Sequence, residues 1–210
     1  MKSFNRLILG TAALSALAVA ANASPFQNGS FEINNVDYGD YKYAPDVPDY
    51  GHDNVTADGW DFSNGTGISR NAGAWTNHVA PDGDSYAFVQ GGALSVLSQT
   101  FDVTNGQTYR VSFKSLTRVY ENGTGTFKYG IGNTFFGNSP VNTDAWQTTT
   151  FTFTASGSSA TLKFTGDSPA VDNTAFVDHV QVEAVPEPFT MSLGFAAVGV
   201  MVRRKLKKSQ

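Results

Sequence analysis

The stretch Ala175–Val182 alternates with the period of a β-strand, and Asp178 falls on the same face as Phe176, Val180 and Val182. A carboxylate among apolar side chains is costly to bury unless it is paired, hydrogen-bonded or bound to a metal. Asp178 is therefore the first residue to suspect of chemistry. A second concentration lies in the segment 37–53, DYGDYKYAPDVPDYGHD, which holds five Asp, four Tyr, two Pro and His52. Tyrosine and tryptophan rings stack on the flat faces of sugars, while Asp, Asn and Gln bond the hydroxyls. Tyr38, Tyr41, Tyr43, Tyr50 and Trp75 are the candidates for such contacts from loops, and Trp60 and Trp146 read as framework. Asp82 and Asp84 form a carboxylate pair of the kind used in acid–base hydrolysis, but neighbouring acids in a turn are usually solvated. The sequence has no Gly-x-Ser-x-Gly nucleophile motif, and His52, His78 and His179 lack metal-ligand spacing. The expectation is a protein that is not an enzyme.

The two ends of the chain differ from its middle. Met1 to Arg6 carries Lys2 and Arg6, Leu7 to Ala21 is free of charge, and Ala21-Asn22-Ala23 has the small-x-small pattern of a signal-peptidase site. This predicts a signal peptide over 1–23 and a mature start at Ser24. The last 26 residues begin with Val185-Pro186-Glu187-Pro188, continue through the uncharged run Phe189–Val202, and end on Arg203, Arg204, Lys205, Lys207 and Lys208. Fourteen helical residues span about 21 Å, and counting from Val185 gives about 27 Å, against a hydrocarbon core of roughly 30 Å. The run is a marginal membrane span, extended by basic side chains that snorkel and hold the end on the cytoplasmic side.

This three-part tail resembles the PEP-CTERM sorting signal of Gram-negative bacteria. The resemblance implies an exosortase as partner, which cuts near Val185–Pro188 and passes the protein from the inner membrane to the cell surface or its exopolysaccharide.

The whole chain has 18 acidic and 14 basic side chains. The signal peptide takes two bases, and the tail takes five bases and one acid. Residues 24–184 are left with 17 acids against 7 bases, a net charge of −10. Such a surface repels nucleic acid and favours cations or neutral ligands. With no cysteine, an exported domain must be held by its core or by a metal.

Residues 24–184 are the size of one domain. Tyr109, Val111 and Phe113 alternate with polar residues, as do Phe151 and Phe153, and Leu162 and Phe164; Leu97, Phe101 and Val103 share a face. Turn signals stand between them at Asn105-Gly106, Asn122-Gly123, Gly157-Ser158 and Gly166-Asp167. Many short strands so spaced predict an all-β antiparallel sandwich. Phe26–Glu32 reads as an opening strand, and the proline and acid density of 37–53 argues against regular structure there.

The order Asn28-Gly29-Ser30-Phe31-Glu32, Gly59-Trp60, Asp82-Gly83-Asp84-Ser85-Tyr86, Leu97–Phe101, Gly106–Phe113, Trp146 and Phe176-Val177-Asp178-His179-Val180 is similar to galactose-binding-like jelly rolls, a fold shared by many carbohydrate-binding modules. The resemblance implies a structural Ca2+ tying the first strand to the last through Glu32 and Asp178. Calcium takes six to eight oxygens, so backbone carbonyls would complete the shell. His179 stands where the family often has a second Asp. The functional expectation is a surface protein whose sandwich binds exopolysaccharide or another glycan; the alternative is a non-catalytic spacer in the surface matrix.

Overall fold

The computed structural model describes residues 25–47, 52–73, 75–91, 95–120, 123–167 and 173–186. Thirteen strands follow one another: β1 (Tyr41–Tyr43), β2 (Asp61–Ser63), β3 (Thr66–Arg70), β4 (Ser85–Gln90), β5 (Val96–Asp102), β6 (Thr108–Thr117), β7 (Val119–Tyr120), β8 (Gly123–Thr124), β9 (Phe127–Ile131), β10 (Thr134–Asn138), β11 (Gln147–Thr154), β12 (Ser159–Gly166) and β13 (Thr174–Ala184). A six-stranded sheet runs β1-β3-β4-β13-β6-β11 and a five-stranded sheet runs β10-β9-β12-β5-β2, with β7 and β8 as a small ribbon. Every pairing is antiparallel, and no helix occurs among the described residues. This is the all-β antiparallel sandwich that the alternating segments predict, of the jelly-roll class that the resemblance implies.

The core is made where the two sheets face each other. Ile68, Ala87, Val89, Val111, Phe113 and Val177 come from the larger sheet, and Leu97, Phe101, Phe127, Leu162 and Phe164 from the smaller. Apart from Ala87, each of these side chains contributes roughly 1.5–3 kcal/mol by leaving water. The outward positions of the smaller sheet are the polar partners of that alternation. Ser98, Thr100, Thr161 and Lys163 lie there, with Thr100 and Thr161 hydroxyls 2.9 Å apart.

Three sequence expectations need correction. Residues 26–32 form no strand: Asn28 and Phe31 have φ of 50° and 58°, and the Asn28 amide braces the resulting turn against Ile33 and Asp58. The segment 37–53 does contain a strand, β1, because Tyr41 and Tyr43 pair with Ser69 and Gly67 at the sheet edge. In β13 the register slips between Asp178 and Gln181, where His179 adopts φ 52°. This β-bulge reverses the alternation. Phe176 therefore points away from the main core, whereas Val180 and Val182 point into or against it.

Candidate functional site

Two features leave the polar-outside pattern of a sandwich. The first is the outward face of the six-stranded sheet. Tyr86 and Phe88 of β4, Phe176 of β13 and Leu116 of β6 point there, and a second buried cluster forms from them with Trp75 and Ala80. Tyr41, Tyr43 and Trp146 pack on its margin half-buried. The rings interlock: Trp75 stacks on Phe88 at 4.3 Å, Tyr43 meets Phe88 edge-on at 5.0 Å, and Tyr86 meets Phe176 at 5.0 Å and Trp146 at 5.9 Å. The Arg118 guanidinium lies 4.7 Å above the Trp75 ring.

Trp75 reaches this face because the loop between β3 and β4 folds back over the sheet. Asn71 pins that loop from inside, its amide bonding the Ala80 N–H, the Gly83 carbonyl and Asp84. The Trp146 Nε1–H closes the far side by donating to the Val79 carbonyl at 2.9 Å. Beneath the rings, burial pushes the Tyr86 phenol up, with the Ser69 hydroxyl beside it pulling weakly the other way. Neither oxygen completes a hydrogen bond among the described residues.

The second feature is the carboxylate pair. Glu32 Oε1 accepts the backbone N–H groups of Asp84 and Ser85, at 2.9 and 2.6 Å. Asp178 Oδ2 accepts the N–H of Asp82 at 3.0 Å, and its Oδ1 accepts that of His179 at 2.6 Å. The turn 82–85 thus bridges Glu32 to Asp178. The close approach needs Gly83, whose φ is 92°; a Cβ there would sit 2.5 Å from Glu32 Cδ. The chain before Glu32 docks on the β13 bulge, Val180 N–H donating to the Gly29 carbonyl at 2.9 Å.

Asp178 is 0% exposed. Burial pushes its carboxyl up to about 8, the two amide hydrogen bonds oppose this, and the neighbouring Asp82 and Glu32 charges add to it. No cation among the described residues pairs with it; Asp82 itself meets His179 Nδ1 at 3.0 Å. Two left-handed residues flank the pair, Phe31 before Glu32 and His179 after Asp178. Such backbone costs of order 1–3 kcal/mol each and gathers at sites where geometry is over-determined. Among the described residues, no three His, Cys, Asp or Glu side chains form a metal-binding group.

The sequence candidates separate accordingly. Trp75, expected on a solvent-facing loop, is 8% exposed and belongs to the second cluster. Tyr41 and Tyr43 sit on β1 at the edge of that cluster, and Tyr41 stacks on His52 at 4.4 Å. Tyr38 stands apart, 62% exposed, with the Arg70 guanidinium 5.8 Å from its ring. Trp60 lies in the main core, as read. Tyr50, the signal-peptide residues Ala21, Ala23 and Ser24, Glu187 and Pro188 of the sorting motif, and the basic end from Arg203 to Lys208 lie outside the described residues. Val185 is tied to the sandwich, its N–H on the Thr108 carbonyl and its carbonyl on Gln107 Nε2. No helix of the described residues is long and apolar enough to cross a membrane.

No family model and no curated protein matches this sequence. Solved structures do align with it. A CBM4 domain aligns with 21% identity over 76% of this chain and 99% of its own, at a TM-score of 0.44. The CBM22-1 xylan-binding domain of Paenibacillus barcinonensis Xyn10C aligns with 16% identity over 63% and 89%, at 0.47. The C-terminal family 22 carbohydrate-binding module of Clostridium thermocellum Xyn10B aligns with 11% identity over 63% and 91%, at 0.46.

The signal that sequence reading missed was Tyr86-Ala87-Phe88-Val89. A strand apolar at four successive positions is covered on both faces.

Proposed function

We propose that this protein is an exported, non-catalytic carbohydrate-binding protein, and that it holds a glycan on the outward aromatic face of the six-stranded sheet. One observation carries the reading. On the central strands of the smaller sheet, β5 and β12, the outward residues Ser98, Thr100, Thr161 and Lys163 are polar, whereas β4 and β13 of the larger sheet turn aromatic rings outward, edged by half-buried rings at Trp146, Tyr41 and Tyr43. Rings presented at the margin of such a face suit the flat apolar side of a sugar, and Thr148 and Thr150 follow Trp146 on β11, with Ser112 in register with Thr150. Delivery follows from the two ends of the sequence. Signal peptidase releases the chain after Ala23, and an exosortase acts at Val185–Pro188 to place it at the cell surface or in the exopolysaccharide.

Affinity electrophoresis through gels holding xylan, β-glucan or the cell's own exopolysaccharide tests the binding. At least one should retard the protein, and Trp146→Ala should weaken that retardation roughly tenfold, a loss typical of a central aromatic anchor. Equal retardation of the variant would move the site elsewhere, and none by any glycan would leave the sandwich a spacer.

We also infer a calcium ion at the Glu32–Asp178 bridge. Its support is a fully buried carboxylate with no counter-charge among the described residues, and left-handed backbone beside each acid, at Phe31 and His179. Glu32 and Asp178 supply two ligands to such an ion, and backbone carbonyls and water the rest. Its part here is structural, joining the segment at 29–32 to β13. Titration with EDTA should lower the melting temperature, and Ca2+ should restore it; a melting temperature indifferent to both removes the metal.

A further inference from the structure

The outward face of β6 is basic in a domain that is not. Residues 24–184 contain seven basic side chains, and three of them, Arg110, Lys114 and Arg118, recur at every fourth position. Even spacing on a strand keeps them on one face. Leu116 lies between Lys114 and Arg118 on that face and belongs to the outward cluster, whereas Val111 and Phe113 belong to the core. Successive charges therefore stand about 13 Å apart along one line. At one end of that line Arg118 lies over Trp75.

The acidic residues in register with Lys114 and Arg110 do not consume those two charges. Asp178 is in register with Lys114, but both its oxygens are turned to the amides of Asp82 and His179. Glu183 is in register with Arg110, and no salt bridge joins them. On the other side lie only Thr148 and Thr152 of β11. Elsewhere in the domain Lys128 is paired with Asp167, and Arg70 lies against Tyr38 and near Asp84.

We propose that the glycan bound on this face is an acidic polysaccharide, whose sugar carboxylates meet Lys114 and Arg110 while its rings lie against Trp146. The inference rests on the carbohydrate-binding reading above and adds the class of ligand. An ammonium or guanidinium bonded to a carboxylate is stronger than a neutral hydrogen bond. The line of positive charge also gives an extended polyanion a direction to follow. The domain's net charge of −10 disfavours adsorption of polyanions to the rest of its surface.

The test is affinity electrophoresis of the full chain in gels containing polygalacturonate or neutral xylan, with the double variant Arg110→Gln/Lys114→Gln alongside. Both substitutions are on the surface and should leave thermal melting unchanged, which the same samples report. Polygalacturonate should retard the protein at concentrations about tenfold lower than xylan, and the double variant should lose that advantage. The preference should also shrink between 0.01 and 0.1 M salt, as the screening length falls from about 30 to about 10 Å. Equal retardation by both polysaccharides would overturn the acidic ligand and leave carbohydrate binding standing. A polygalacturonate preference that survives the double variant would overturn the placement on β6. No retardation by either, with xylan, β-glucan and exopolysaccharide also silent, would remove both readings.

Discussion

In a chelating buffer the folded state should lose stability as pH rises from about 4 to about 8, and Asp178→Asn should remove most of that loss. The unfolded carboxyl has an ordinary acid strength, near 3.8, whereas burial raises the folded one to about 8. Between those values the folded chain holds a proton that the unfolded chain has released. Stability then falls with pH, by at most about 1.4 kcal/mol per unit. The contribution is fully present below about 4 and gone above about 8. Asn cannot ionise, so its curve is flat across this window. The substitution has its own cost: the hydroxyl oxygen of the protonated carboxyl can still accept where the Asn NH2 can only donate, so one of the Asp82 and His179 N–H groups loses its acceptor, for about 1–3 kcal/mol. The two urea-midpoint curves should therefore approach one another towards high pH, with the wild type ahead at pH 4.5. Added Ca2+ should flatten the wild-type curve, because a cation favours the ionised form. Parallel curves for the two proteins in EDTA would show that Asp178 does not titrate in this range.

The stretches that were legible in the sequence share one property: each is buried on one face only. β11, β12 and β6 as far as Lys114 alternate, and their inward residues Val111, Phe113, Leu162 and Phe164 are core. What was not legible depends on contacts distant in sequence. The turn that satisfies Asp178 lies 96 residues before it, at Asp82. The bulge at His179 leaves no mark in the residue pattern, so a strict period of two put Phe176 on the face of Val180. β1 was hidden by composition, since its Tyr41 and Tyr43 owe their extended state to pairing with β3 rather than to the acid- and proline-rich segment around them. Trp75 looked like a solvent-facing ring because nothing local says that its loop folds back onto Phe88. The face that the further proposal uses emerges only when these non-local facts are combined.

Phe164→Ala should be the most destabilising single truncation, costing roughly 3–5 kcal/mol. Phe164 is 0% exposed and central in the space between the sheets, with Phe113 at 5.1 Å, Phe127 at 5.3 Å and Trp60 at 6.2 Å. Its strand, β12, is held in register on both sides, by β5 and β9. The cavity left behind therefore cannot close by moving the strand. A typical domain is stable by only about 5–15 kcal/mol, so the urea midpoint should fall steeply while the slope of the transition is kept. Phe136→Ala is the control. That ring also stacks on a neighbour, Phe151 at 4.7 Å, but it is 41% exposed on the edge strand β10, where water can fill the space. Its loss should cost under about 1.5 kcal/mol. Similar costs for the two would mean that stability is not concentrated between the sheets. The outward aromatic cluster would then be holding the fold together, and its rings would be less free to serve a ligand.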